Sequence, residues 1–191
     1  MYRSSEEYDR MRELAIAIIE DYGITADFYP LDMDWLCRQM KINVVPYSAY
    51  ESDEIDILLK KSPDGFNVPR SSEKEATIYF NDRFGKHTTP ARISQTKGHE
   101  IKHILEGDVD DSEDDLCDYF SKYLRCPIPL VLYLGINTSS ELMSMFGTSR
   151  EQARYVLSNI KNRKQKYGDT LFDYEIDLLN QLLGNDFNQN N

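Results

Sequence analysis

Two of the three histidines in this chain, His99 and His103, stand four residues apart, with Glu100 directly after the first. On a helix, positions i and i+4 share a face, so two imidazoles can be aimed at one metal ion. Glu100 falls about 100° further round the same helix, within reach of a water at the ion's open position. A catalytic zinc takes three protein ligands and keeps one position for water. It polarises a carbonyl and lowers the pKa of that water. A neighbouring carboxylate then accepts the water's proton and returns it to the leaving amine. The His-Glu-x-x-His spacing therefore predicts Zn2+ as cofactor, His99 and His103 as ligands and Glu100 as the catalytic base.

A third ligand must come from elsewhere. His87 sits before the expected helix cap, more than two turns from His99, and Glu106 lies nearly a turn beyond His103 on the same rigid rod. The acidic start of the following helix is the better source. There Asp114 and Asp118 are one turn apart. A carboxylate that binds the metal, with a second acid four residues on that hydrogen-bonds a ligand histidine and fixes its tautomer, is a recurrent pattern. Asp114 is accordingly the expected ligand, with Glu113 as the alternative on a longer arm, and Asp118 is the expected partner of a ligand histidine. The same acids also suit a helix N-terminus that faces water.

The elements that must carry these residues follow from local signals. Ser4 with Glu7 reads as a capping box opening a helix with Met11, Leu14, Ala15, Ile18 and Ile19 on one stripe, closed at Gly23. Asp32 or Asp34 caps a short helix through Met40. Ile42 to Pro46, Ile55 to Leu59 and Ala76 to Asn81 read as three strands of a small antiparallel sheet, with a loop at 62–72. Thr89 followed by Pro90 opens the helix bearing His99 and His103, which Gly107 ends. The linker 108–111 is acidic, and Ser112 caps the next helix, which Pro127 and Pro129 end. Further helices are expected from Ser139 to Phe146, from Ser149 to about Arg163, and from a cap at Asp169 or Thr170 to Leu183.

The net charge of −11 argues against bulk attraction to nucleic acid or anionic lipid. Three scattered cysteines without a Cys-x-x-Cys pattern suit reduced thiols in the cytosol. The N-terminus lacks the apolar core of a signal peptide, and no apolar run is long enough to span a membrane. The expected location is cytoplasmic, with no membrane partner and nucleic acid disfavoured.

These residues resemble those of the ImmA/IrrE family of metallo-endopeptidases. Members carry an Asn, an Arg-rich approach and then Phe-Thr-Leu-Ala-His-Glu-Leu-Gly-His. Here the corresponding residues are Ile78-Tyr79-Phe80-Asn81, Ala91-Arg92-Ile93-Ser94 and Lys97-Gly98-His99-Glu100-Ile101-Lys102-His103. The family's Glu-x-x-Ala-Asn/Asp-x-Phe-Ala-x-x-Leu-Leu-x-Pro is matched by the stretch from Asp114 to Pro127. The register places Asp114 at the third-ligand glutamate and Asp118 at the Asn/Asp position. Glu141 to Ala153 is similar to the family's Phe-Gly-Val-Ser phrase, so the likeness covers most of residues 8–163. Two departures stand out. Aspartate replaces the ligand glutamate, so the helices must approach more closely. Lys102 stands where glycine is usual, a position expected in solvent or at the cleft rim.

The resemblance implies a mostly helical α+β, zincin-like fold whose small antiparallel sheet packs on the active-site helix, followed by C-terminal helices. It implies a metallopeptidase-like domain at 1–134, a packed, helix-turn-helix-like helical extension at 135–184 and a flexible tail at 185–191. Family members include regulators that cleave a helix-turn-helix repressor, often encoded beside it on mobile elements. The expected activity is thus a regulatory zinc endopeptidase whose partner is a protein substrate such as that repressor. The alternative is a non-catalytic or DNA-binding transcriptional regulator that retains a metal site, with Leu142 to Ile160 as the helix-turn-helix.

Overall fold

The computed structural model describes residues 3–83, 88–107 and 113–184. His87, the linker 108–111, the Ser112 cap and the tail 185–191 lie outside them. The protein is α+β, with helices predominating over one three-stranded sheet among the described residues.

Its elements are α1 (Ser5–Asp21), α2 (Met33–Gln39), β1 (Asn43–Pro46), α3 (Ser52–Lys61), β2 (Gly65–Val68), β3 (Thr77–Phe80), α4 (Pro90–Glu106), α5 (Asp114–Arg125), α6 (Ile128–Tyr133), α7 (Ser139–Phe146), α8 (Arg150–Tyr167) and α9 (Asp173–Leu183). They form two compact units. One comprises Met1–Met11 with Asp32–Ser121, the other Arg12–Leu31 with Lys122–Asn191.

In the first unit the strand order is β1-β3-β2. β2 pairs antiparallel with β3, whereas β1 pairs parallel with it, Asn43 opposite Thr77 and Pro46 opposite Phe80. The expected all-antiparallel sheet is therefore mixed. A parallel pair needs a long crossover, and α3 with β2 supplies it.

Two local expectations fail for identifiable reasons. Ile55 to Leu59 is helical, within α3. The Glu54 carboxylate accepts from the Glu51 backbone N–H at 3.0 Å, and Asp53 and Lys61 sit at the ends that the helix dipole favours. Ile55 is buried and Leu58 and Leu59 are half-buried, a helical spacing. The expected loop at 62–72 contains β2. Its ladder to β3 outweighs a Pro- and Gly-rich composition, and Gly65 is needed there. A Cβ at Gly65 would stand 2.6 Å from the Tyr79 carbonyl and 2.7 Å from Thr96 Cγ2, so only glycine lets β2 lie this close to α4.

The helix cues before and after the sheet largely hold. Ser4 and Glu7 exchange capping hydrogen bonds. Asp32 caps α2 by accepting from the Asp34 and Trp35 N–H groups. α5 ends before Pro127, which then serves as the cap of α6, with Pro129 in its first turn. α9 starts later than expected, after Phe172, whose N–H donates to Glu175 at 2.9 Å.

The first unit packs Leu36, Ile42, Tyr47, Ile78, Ile101, Leu116 and Phe120 out of water. The second does the same with Ile19, Ile24, Leu130, Leu142, Phe146, Leu178 and Leu179. No described helix is long and apolar enough to cross a membrane.

Candidate metal centre

His99, Glu100, His103, Asp114 and Asp118 lie in the first unit, on α4 and the first part of α5. α4 is set at both ends. Thr89 Oγ1 accepts from the Arg92 N–H at 3.2 Å, Pro90 fills the first turn, and Gly107 closes the helix in the left-handed region with its N–H bonded to the His103 carbonyl. Arg92 adds a two-pronged bridge to Asp64 just before β2.

α5 is brought against α4 by a glycine. A Cβ on Gly98 would lie 2.2 Å from Ser121 Oγ and 2.9 Å from Ser121 Cβ. Glycine inside a helix costs about 0.5–1 kcal/mol relative to alanine. Here that cost permits a close approach one residue before His99. Ser121 Oγ donates to the Gln95 carbonyl at 2.9 Å, and Gln95 Nε2 reaches the Asp118 carbonyl and carboxylate at 3.3 Å each. The close approach that an aspartate ligand would require is thus built into this contact.

The side chains then converge. The Nε2 atoms of His99 and His103 are 3.2 Å apart. Asp114 Oδ1 stands 3.5 Å from the first and 3.8 Å from the second. Asp118 Oδ1 is 3.1 Å from His99 Nδ1. If His99 Nδ1–H donates to Asp118, the neutral ring keeps its Nε2 lone pair for an ion. Burial acts to lower the His99 pKa. The Asp118 hydrogen bond and the charges of Glu100, Asp118 and Asp114 outweigh it and raise the pKa above its ordinary value. The centre is therefore an acidic pocket that favours positive charge.

Glu100 is buried, and its Oε2 accepts from Asn67 Nδ2 of β2 at 2.9 Å. Burial first, and then the nearby Glu100 and Asp64 carboxylates, push the Tyr47 phenol up to about 12.

Lys102 corrects an expectation. It is neither in solvent nor at a rim but fully buried. Its ammonium meets Glu113 Oε2 at 2.5 Å and Glu106 Oε2 at 2.8 Å, and paired carboxylates are what allow a buried cation. The alternative ligand Glu113 is thereby engaged with Lys102, while Asp114 faces the histidines.

Cys117 joins this group although the His-Glu-x-x-His spacing does not call for it. Its Sγ lies 3.3 Å from His103 Nε2, and the donor atoms of His99, His103 and Cys117 all fall within 4.8 Å of one another. The signal was present in the spacing, since Asp114, Cys117 and Asp118 share one helical face at i, i+3 and i+4.

A tetrahedral zinc spaces two nitrogen ligands by about 3.3 Å, and a nitrogen and a sulfur by about 3.6 Å. The 3.2 Å between the two imidazole nitrogens and the 3.3 Å from Cys117 Sγ to His103 Nε2 are close to these spacings. Imidazoles with a thiol and a carboxylate suit zinc better than the all-oxygen sets of calcium or magnesium. No family model, curated protein or solved structure matches this chain.

Proposed function

We propose that this protein is a zinc-dependent endopeptidase of zincin-like design, akin to the ImmA/IrrE enzymes, that works in the cytoplasm on a protein such as a helix-turn-helix repressor. One observation carries the reading. Two histidine Nε2 atoms 3.2 Å apart share a neighbour in Asp114, and the adjacent Glu100 is buried and held in place.

When bound by His99, His103 and Asp114, zinc would supply a Lewis acid and acidify a water. Asp118, 3.1 Å from His99 Nδ1, would favour the tautomer whose Nδ1–H donates to it and orient the ring. Asn67 fixes one oxygen of Glu100, which leaves the other to take a proton from the attacking water and pass it to the leaving nitrogen. β2 is an edge strand of the sheet and carries Asn67, the partner of Glu100, and an edge strand is the kind of element that can pair with an extended peptide.

Metal analysis of the purified chain tests the reading, paired with cleavage of a candidate repressor. Wild type should hold about one zinc, His103→Ala should lose it, and Glu100→Gln should keep zinc but lose cleavage. A wild-type chain without zinc after loading, or undiminished cleavage by Glu100→Gln, would refute it.

A further inference from the structure

Cys117, between Asp114 and Asp118 on α5, offers a donor that the proposed peptidase centre has not used. Cys117 is fully buried, whereas the Asp114 side chain is 57% exposed. The two groups therefore approach the histidine pair from different environments, the thiol from the protein interior and the carboxylate from the solvent side. We propose that Cys117 is a metal ligand, so that one ion is held by His99, His103 and the Cys117 sulfur, with Asp114 as the exchangeable group on the open side.

This assignment rests on the reading of the site as a metal centre and changes its chemistry. A thiolate selects zinc more strongly against magnesium, calcium and manganese than a carboxylate does. It also donates more charge to the ion, which moderates the Lewis acidity that the ion can exert. Binding exchanges one bond for another. The S–H bond breaks, its proton passes to solvent, and a sulfur–metal bond forms with no change of oxidation state. Asp114, held only from the exposed side, is then the ligand that water or a substrate carbonyl can displace. The centre needs the thiol reduced, so oxidation of Cys117 would release the ion.

Cobalt(II) substitution of the full chain reads this directly, because a thiolate ligand gives an intense near-ultraviolet sulfur-to-cobalt band that nitrogen and oxygen ligands do not. Wild type loaded with one equivalent of cobalt should show that band. Cys117→Ser should lose it, and Cys37→Ser, which alters a buried thiol on α2, should retain it. Zinc affinity measured by chelator competition should fall more than about 100-fold in Cys117→Ser, beyond the usual effect of removing a group that only supports a ligand.

If cobalt-loaded wild type shows the visible d–d absorption of a bound ion without the sulfur band, Cys117 is not a ligand while the metal centre stands. In that case the 3.3 Å contact is a thiol–imidazole hydrogen bond. If wild type takes up neither metal, both readings fall. The wild-type spectrum decides even where the serine variant does not fold.

Discussion

α4 and α9 are both helices that bury one face, and they do so with opposite materials. α9 buries Leu178, Leu179 and Leu182 beside a single acid, Glu175, whose carboxylate meets Arg163 at 2.5 Å. α4 buries Thr96, Lys97, Gly98, Glu100, Ile101, Lys102 and His103, of which only Ile101 is a sizeable hydrocarbon. Burying a leucine side chain contributes about 1.5–3 kcal/mol, whereas burying a polar group is costly unless it is partnered. Each charged residue on α4 has such a partner: Asp34 for Lys97, Asn67 for Glu100, and Glu106 with Glu113 for Lys102. The difference separates a helix that stabilises the fold from one that the fold must stabilise, and the second kind marks a site.

The contrast can be broken by substitution. Leu178→Ala should have the largest effect, about 2–5 kcal/mol lost in denaturant unfolding from removed contacts and the cavity left behind, with zinc binding unchanged. A loss below about 1 kcal/mol would show that α9 does not carry the stability assigned to it.

Gly98→Ala should cost about 1–3 kcal/mol, because its methyl meets Ser121. It should also weaken metal binding, since α5 must retreat. Ser121→Gly in the same chain should restore part of both. If Gly98→Ala binds zinc as well as wild type, the close helix contact does not set the site.

Lys102→Met keeps length and removes charge. The pair is only partly dry, with Glu106 and Glu113 side chains 22% and 30% exposed, so the expected loss is about 1–2 kcal/mol, less than for a fully buried pair. Unchanged stability in urea would place Lys102 outside the partnered set.

Glu141→Gln should have the smallest effect. The Thr138 hydroxyl, and then the Asn137 and Thr138 N–H groups, hold the Glu141 pKa below the ordinary carboxylate value. Its contribution is therefore present above the unfolded pKa and disappears as pH falls through the folded one. The small Tm difference between wild type and variant should close on acidification, and a difference that persists in strong acid would remove the charged cap as its cause.

The sequence reading succeeded where one residue type dictates one local geometry. Thr89 with Pro90 and Gly107 bounded α4, Asp32 capped α2, and the His99, Glu100, His103 spacing needed only a helix. It failed where partners distant in the chain decide. β2 exists because β3 pairs with it, and nothing in Gly65-Phe66-Asn67-Val68 announces that partner. Ile55 to Leu59 is a short apolar run that suits either period, and the capping box of Glu51 and Glu54 decides for the helix α3. A lysine before His103 suggests solvent or the cleft rim, and only packing reveals that Glu106, four residues on, and Glu113 partner it in the interior. Asn67 and Cys117 enter the site through packing, which one sequence does not display.

The donors assigned to the centre all fall within residues 99–118. A chelate so local in the chain does not vanish when the fold does. Closing a loop of this length is entropically modest, because each doubling of loop length adds only about 0.6 kcal/mol, so if the proposed centre binds zinc, the unfolded polypeptide should retain some affinity for it. Zinc should then raise Tm by less than its affinity for the folded protein alone would give. Chelators in turn should strip the centre without unfolding α9, whose apolar face does not depend on it.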